Sequence, residues 1–272
     1  MNTQWYKNWI GEVFDRSAKE YGQKYNTFFD YFAKKLIALA NLPTGARVLD
    51  VATGRGAILQ QVADIVGPQG HVVGIDISTN MIKETATALS LYANIDLICM
   101  DAENLTFANN SFDYIFCGFG VFFFPDLHKA VQEFFRVLKP GGKIFISTWG
   151  AFDHNSMHPF FYTAYSRFNV DVKILPNNFK HQDLAYALVA QGFTAITAVS
   201  DQLDYVYPTL DDCFNSLWTH APRGKLEKLN TEQIEQLKKS FQKHLIPLLK
   251  ADGFHEILNV HYTHAIKEIN LS

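Results

Sequence analysis

The chain contains 272 residues with a net charge of −3, and hydrophobic residues make up 48% of it. With about 150 residues per typical domain, this length corresponds to one enlarged domain or to one domain with an appendage. Charged residues account for only 19%, which excludes an intrinsically disordered chain. The slight negative charge provides no long-range attraction for phosphate backbones or anionic lipids, so binding to nucleic acid or to a membrane surface is disfavoured.

The longest apolar run spans residues 114–125, fewer than the about 20 that a transmembrane helix needs. The N-terminal residues lack the basic and then apolar order of a secretory signal. The three cysteines, Cys99, Cys117 and Cys213, contain no CxxC pair, which excludes a disulfide framework or a zinc ribbon. We therefore expect a cytoplasmic protein, with the oligomeric state open and a homodimer as one option.

Residues 4–41 have apolar positions at helical spacing, and we treat 1–43 as an N-terminal helical segment. Residues 44–150 then alternate short β-type runs with longer helical ones, a pattern typical of βαβ units and a parallel sheet. Asp126 occupies the N-cap position of one of these helices, and Pro140 is predicted to end it in a tight turn. Four nearly continuous apolar runs are predicted to be strands covered on both faces: 47–51, 71–75, 112–117 and 143–148.

The third part of the chain, residues 151–272, has a different organisation. An irregular aromatic stretch reaches about residue 178 and precedes a predicted helix that Gly192 ends. The remaining predicted elements are a strand over 194–203, a helical insertion over 208–250 and a closing strand over 255–266.

A glycine-rich turn over residues 50–57 joins the first strand to a helix. Gly54 and Gly56 let a ligand approach the backbone closely, which predicts a nucleotide-like cofactor; a simple turn that binds nothing is the alternative. Asp76 ends the second strand, where a carboxylate can accept hydrogen bonds from ribose hydroxyls. Its alternative role is a helix N-cap beside Ser78.

The kind of cofactor follows from two residues. Leu59 stands where the dinucleotide fingerprint has its third glycine, which disfavours NAD. Asp50 would repel a pyrophosphate at this turn but would favour a cationic amino group. A cofactor with adenine, ribose and an amino acid tail but no phosphate fits better, and S-adenosylmethionine (SAM) has these parts.

Residues 44–150 resemble the class I SAM-dependent methyltransferases, and in pattern they are most similar to the ubiquinone/menaquinone biosynthesis group. The resemblance implies an α/β, Rossmann-like, doubly wound sheet of seven mainly parallel strands, with the last strand antiparallel and with helical cap insertions. Four segments that occur in order carry it: VLDVATGRG at 48–56, VGIDIS at 73–78, MDAENLTF with SFDY at 100–114, and RVLKPGG at 136–142.

The resemblance also implies a cofactor site. Asp50 and the two glycines would frame the methionine end of SAM, Asp101 would accept from the adenine amino group, and Met81 would pack on adenine unless it is an ordinary core residue. Thr53 departs from the glycine common at its position. The implied cofactor-binding residues are Asp50, Ala52, Gly54, Gly56, Asp76, Ile77, Met81, Asp101, Ala102 and Phe119.

The acceptor would lie over the ends of the fourth and fifth strands, where aromatic residues cluster. These residues could bind a flat or apolar small molecule, anchor the insertion helices, or do both; they are Phe119, Phe122, Phe123, Phe124, Trp149 and Phe152. The N-terminal segment with Tyr21 would fold over the cofactor as a lid, unless it is a plain packing helix. The acceptor-lining candidates are Tyr21, Phe119, Phe123 and Trp149.

The predicted reaction is SN2 transfer of the SAM methyl group to a small organic acceptor, which leaves S-adenosylhomocysteine. Motifs typical of nucleic-acid methyltransferases are missing. Candidates for a general base are His154, His158 and His220, and Pro159 argues against a helical histidine pair that binds metal. The alternatives are a nicotinamide-dependent oxidoreductase and a non-catalytic SAM-binding protein.

Overall fold

A computed structural model describes residues 3–152, 156–170 and 179–269. The strands are β1 (Arg47–Val51), β2 (His71–Asp76), β3 (Ile95–Cys99), β4 (Phe112–Gly118), β5 (Leu138–Trp149), β6 (Phe193–Tyr207), β7 (Leu249–Lys250) and β8 (Gly253–Lys267). The α-helices are α1 (Thr3–Ser17), α2 (Phe28–Ala38), α3 (Ala57–Val66), α4 (Thr79–Ala88), α5 (Leu127–Val137), α6 (Met157–Tyr165), α7 (His181–Ala190), α8 (Leu210–Ser216), α9 (Arg223–Leu226) and α10 (Thr231–Leu245).

The strands form one sheet in the order β3-β2-β1-β4-β5-β8-β6, with the two-residue β7 paired to β8. The pairs among β1 to β5 are parallel, whereas β8 is antiparallel to both of its long neighbours. The order reverses at β1, which has β2 on one side and β4 on the other, so ligands are expected beyond the carboxyl ends of these strands. This topology confirms the predicted seven-strand α/β fold, with β7 as a short addition.

Helices cover both faces of the sheet, as the apolar strands required. Residues of α2 and α3 pack on one face, and those of α5 and α7 pack on the other. The strands β1 and β4 are buried from both sides, which explains why they appear in the sequence as continuous apolar runs. Asp126 caps α5 by accepting a hydrogen bond from the Lys129 amide, as predicted.

A third apolar cluster lies at the C-terminal end of the chain. It joins α6, α8 and α10 to the ends of β6 and β8 and includes Phe161, Phe214, Phe241 and Phe254. We call α6, α8, α9 and α10 the cap. The cap is the predicted helical insertion over 208–250 with α6 added to it.

Some boundaries differ from those predicted. The stretch after residue 148 was expected to be irregular, but it contains α6, because Pro159 lies in the first turn, where its missing amide costs no hydrogen bond. The strand β5 begins at Leu138, before the turn expected at Pro140, but Gly141 has the predicted positive φ of +79° and the pairing with β4 is irregular there. The apolar pattern of the sequence did not predict the strand β3, because its side chains are only partly buried.

Within the described ranges, no helix is long and apolar enough to cross a membrane.

Candidate active site

The turn after β1 has a strained backbone. Ala52 adopts a φ of +55°, which is uncommon for a residue with a side chain, and Gly54 and Gly56 follow at +54° and +81°. A Cβ atom at Gly56 would lie 2.9 Å from Thr85 Cγ2, so glycine is required there both for conformation and for space. The turn therefore packs tightly against α4 at the carboxyl end of β1.

Asp50 is buried beneath this turn and is only 1% exposed. Its Oδ2 accepts a hydrogen bond from Thr53 Oγ1 at 2.6 Å, so the unusual threonine partners the carboxylate. Its Oδ1 has no partner among the described residues. Burial raises the pKa of Asp50 to about 7, in spite of the Thr53 hydrogen bond, and the neighbouring Asp76 adds to the rise.

Asp76 closes β2 and bonds to two backbone amides. Its Oδ2 accepts from Gly54 N at 2.9 Å and its Oδ1 from Ser78 N at 2.8 Å. Burial nevertheless raises its pKa to about 6. The N-cap of α4 is Ser78, whose Oγ accepts from Met81 N at 3.1 Å, so the capping role considered for Asp76 belongs to Ser78.

Two cavities flank the turn. The first, of about 730 Å³, lies over the carboxyl ends of β1, β2 and β4. The second, of about 1400 Å³, opens on the other side of the turn and contains Asp50 and Gly56. Met81 is fully buried in α4 and also lines the first cavity, so its position is compatible with either of the roles considered for it. The other predicted residues that line the first cavity are Ala52, Gly54, Asp76, Ile77, Asp101, Ala102 and Phe119.

The helix α1 covers the first cavity through Lys7, Ile10 and Phe14. Lys7 Nζ bonds to Asp101 Oδ2 at 2.8 Å and to Glu103 Oε2. Burial lowers the pKa of Lys7, but these hydrogen bonds outweigh burial and raise it overall. Asp101, the residue expected at the adenine amino group, is thus also the anchor of α1. Sequence reasoning missed Lys7, whose partners lie more than 90 residues away.

A third cavity, of about 530 Å³, lies between the sheet and the cap. Most of its wall is aromatic and includes five of the six predicted residues; the sixth, Phe124, lines the first cavity and packs against the sheet core. Tyr21 and Phe119 line all three cavities. Phe119 has a φ of +55°, and its ring centroid lies 4.4 Å from that of Trp149. The three cavities therefore meet at these two rings.

Two of the three candidate bases line the third cavity, and His154 lies outside the described residues. The rings of His158 and His220 are 5.9 Å apart. His220 Nδ1 lies 2.7 Å from the Ser216 carbonyl oxygen and must therefore carry the proton. Burial, helped by His158, lowers the pKa of His220 to about 3, so this ring stays neutral and is a weak base. In the described part of the chain, no group of three or more His, Cys, Asp or Glu side chains could hold a metal ion.

Glu256 also lines the third cavity and was not predicted. It lies on β8 and shares the buried face of that strand with Phe254, Leu258 and Val260. The sequence contained a signal for it: Glu256 is the one charged residue in this alternating apolar series.

The described fold, with its cleft over the reversal of strand order, is that of the class I methyltransferases. The chain has 22% identity and a TM-score of 0.54 to a Haemonchus contortus phosphoethanolamine N-methyltransferase 2, solved with S-adenosylhomocysteine, over 87% of this chain and 53% of that one. It is 39% identical over 142 residues to aklanonic acid methyltransferase DauC of a Streptomyces strain, covering 51% of this chain and 64% of that protein. It is 36% identical over 143 residues to a demethylmenaquinone methyltransferase of Listeria monocytogenes, covering 50% and 60%.

Residues 2–181 match the model of the ubiE/COQ5 methyltransferase family, and the chain belongs to that family. The resemblance drawn from the four motifs is thereby confirmed. The matches to the two curated relatives span less than two thirds of their lengths. The family match ends at residue 181, so the strands β6 to β8 and the helices α8 to α10 lie beyond it.

Proposed function

We propose that the protein transfers the methyl group of SAM to a small organic acceptor by SN2 displacement. The observation that carries the proposal is the meeting of the three cavities at Tyr21 and Phe119. A cofactor held across the glycine turn, in the first and second cavities, would have its centre at these rings and would face the third cavity. An acceptor in the third cavity would then lie next to the methyl group.

The side chains around the turn suit the parts of SAM. The unpartnered Asp50 Oδ1 is a buried acceptor that suits the cationic amino group, and its raised pKa indicates a carboxylate in need of a positive partner. Asp76 lines the first cavity with lone pairs available for ribose hydroxyls. Ala102 and Met81 would contact the adenine. A bound SAM supplies an activated methyl group on a sulfonium.

The protein's own contribution is to position the acceptor and to exclude water. The leaving thioether is already activated, so alignment of donor and acceptor accounts for most of the acceleration. The helix α1 closes the first cavity from above, and the ring of Tyr21 stacks on that of Phe29 at 5.1 Å. We therefore assign residues 1–43 the role of a lid over the core of residues 44–150.

A small molecule is the acceptor that this site favours. The third cavity lies beneath the cap, and none of the described residues in its wall is a lysine or arginine, so these residues offer a nucleic acid backbone no basic surface to follow. The two curated relatives are named for different acceptors, aklanonic acid and demethylmenaquinone. Because α8 to α10 lie beyond the family match, the acceptor must be inferred from this chain's own cap.

The test is titration calorimetry with SAM and NAD side by side, followed by turnover of methyl-labelled SAM against a panel of small acceptors. Binding of SAM alone and release of S-adenosylhomocysteine with a labelled product are expected. Binding of NAD would favour the oxidoreductase, and the family membership gives that alternative no support. SAM binding without any product would favour a non-catalytic SAM-binding protein.

We also propose that the protein is cytoplasmic. The three cysteines are free, one exposed and two buried, which suits a reducing cytoplasm. Sedimentation analysis of the purified protein tests whether it forms the homodimer considered above.

A further inference from the structure

The wall of the third cavity is not uniform. Aromatic rings line the part next to Tyr21 and Phe119, whereas polar side chains from the cap and the last strands line another part. We call this second part the polar end; it consists of His158, Tyr207, His220 and Glu256. Three of its four residues lie beyond residue 181, where the family match ends.

Glu256 is the buried carboxylate of the polar end. Its side chain is fully inaccessible, and Oε1 accepts hydrogen bonds from Met157 N at 3.0 Å and from Ser156 Oγ at 3.2 Å. The nearest titratable nitrogen is His158 Nδ1, at 3.6 Å from Oε1. Its Oε2 has no hydrogen-bond partner among the described residues. A buried carboxylate oxygen without a partner is costly, so a ligand group that donates to it would be strongly favoured.

His158 is the second incompletely satisfied group. Its Nδ1 is buried and lies beyond hydrogen-bond distance of Glu256, with no other partner in the described part of the chain. Its ring stacks on Phe152 at 5.1 Å between centroids, which fixes the orientation of the imidazole. Burial and the nearby Glu256 raise the pKa of Tyr207 well above its usual range, so the tyrosine stays protonated. His220 is neutral, as shown above.

A hydroxyl group satisfies this arrangement. It can donate its proton to Glu256 Oε2 and accept a hydrogen bond from an imidazole N–H of His158. An ammonium group could donate to Glu256 Oε2 but could not accept from an imidazole N–H, and a carboxylate could accept from the imidazole but has no proton to donate to Glu256 Oε2. The aromatic wall beside the polar end suits a flat ring that carries the hydroxyl.

We propose that the polar end is a specificity subsite in which Glu256 and His158 hold a hydroxyl group of a flat aromatic acceptor, apart from the atom that receives the methyl group. The inference rests on the proposed methyl transfer, because it places the acceptor in the third cavity. In this account Glu256 is a binding residue that fixes the orientation of the acceptor. Its hydrogen bonds to the start of α6 are a structural role that glutamine can also fill through its carbonyl oxygen.

The test uses three naphthalene probes that differ in one group: 2-naphthol, 2-methoxynaphthalene and 2-naphthoic acid. Their binding to the full chain saturated with S-adenosylhomocysteine is measured by ligand-observed NMR at pH 7.5. The wild type should bind 2-naphthol about tenfold or more tightly than either other probe, as expected when a buried, unpartnered acceptor gains a hydrogen bond. In Glu256→Gln this preference should fall to about threefold or less.

The control is Glu235→Gln, which makes the same chemical change at an exposed position of α10 and should keep the wild-type preference. Should Glu256→Gln fail to fold, His158→Gln removes the other half of the subsite and should reduce the same preference. Equal binding of the probes to the wild type, binding of none of them, or an unchanged preference in a folded subsite variant would overturn the proposal. SAM affinity, measured on the same protein preparations before S-adenosylhomocysteine is added, separates this outcome from a failure of the proposed function.

Discussion

The carboxylate of Asp76 links the glycine turn to the first cavity. It holds the turn by accepting from Gly54 N and holds the start of α4 by accepting from Ser78 N. The same carboxylate lines the first cavity, where the ribose is proposed to bind. Substitution should therefore affect cofactor binding both directly and through the shape of the turn.

The variant Asp76→Ala is expected to weaken SAM binding by about 1 to 3 kcal/mol, or roughly 5- to 150-fold in Kd, through lost charge-assisted hydrogen bonds. Titration calorimetry measures this change. The control is Asp96→Asn, an exposed carboxylate on the adjacent strand. An unchanged Kd in a folded Asp76→Ala protein would remove this residue from the site.

If Asp50 binds the amino group of SAM as proposed, cofactor binding should depend on pH. Its pKa, raised to about 7 by burial, means that much of it is protonated near pH 6 in the unliganded protein. A cationic ligand favours the ionised form, so SAM affinity should rise with pH, by roughly fifty-fold between pH 5 and 7. In Asp50→Asn the rise in SAM affinity with pH should be smaller, and the rise that remains should come from the ionisation of Asp76. Equal pH profiles for the two proteins would exclude Asp50 as the partner of the amino group.

The raised pKa values of Asp50 and Asp76 also affect folding. The folded state holds these protons more tightly than the unfolded chain, in which a carboxyl titrates near pH 4. Their contribution to stability is therefore fully present below about pH 4 and is lost as the pH rises through about 6 to 7. Urea unfolding of the unliganded protein between pH 5 and 8 should show a decline that is smaller in Asp50→Asn. A decline of the same size in the variant would contradict this assignment.

In the proposed lid α1, Lys7 forms the ion pairs to the sheet core. The ion pairs of Lys7 with Asp101 and Glu103 are largely buried, whereas the Arg16 to Glu227 pair near the other end of the helix is more exposed. Buried pairs are costly to break singly, because the remaining charge loses its partner. Of these ion pairs, those of Lys7 should therefore contribute more than that of Arg16 to holding α1 closed. Asp15 adds hydrogen bonds from Ser78 Oγ and Asn80 N.

The variant Lys7→Met should ease the opening of α1 by about 1 to 3 kcal/mol, so that a protease cleaves the N-terminal segment roughly 5- to 150-fold faster and SAM dissociates faster. Limited proteolysis and stopped-flow release measure the two effects. Arg16→Met should change both much less. Equal rates in Lys7→Met and the wild type would mean that α1 is a plain packing helix.

The elements that sequence reasoning predicted well are those with local signals. The glycine turn, the Asp126 cap and the helical spacing of α5 are each contained within about a dozen residues. Lys7 and Glu256 acquire their roles from partners about 100 residues away, which no local pattern shows. The positive φ of Phe119 likewise depends on its position between β4 and the cap, so its place at the junction of three cavities emerged only from the fold.

The whole molecule divides into a sheet core and a cap with its own apolar cluster. Phe241 is buried among cap residues, and Phe134 is buried in the sheet core. Phe241→Ala should lower the free energy of unfolding by about 3 to 5 kcal/mol through loss of apolar contact and the cavity left behind. Because α10 does not line the first cavity, the Kd of SAM should stay within about twofold.

Chemical unfolding and calorimetry on the same preparation test this division. The comparison is Phe134→Ala, which should destabilise the sheet core that supports the cofactor cavity and so weaken SAM binding as well. A cap variant that loses SAM binding while it remains folded would show that the cap and the cofactor cavity do not act independently.

The most direct measurement is a crystal structure of the protein with S-adenosylhomocysteine. The account predicts that the ligand lies over the carboxyl ends of β1 and β2, with its ribose hydroxyls on the Asp76 carboxylate and its sulfur beside Phe119 and Tyr21. Crystals grown with saturating ligand that show this crevice empty, or filled by the protein's own side chains, would contradict it.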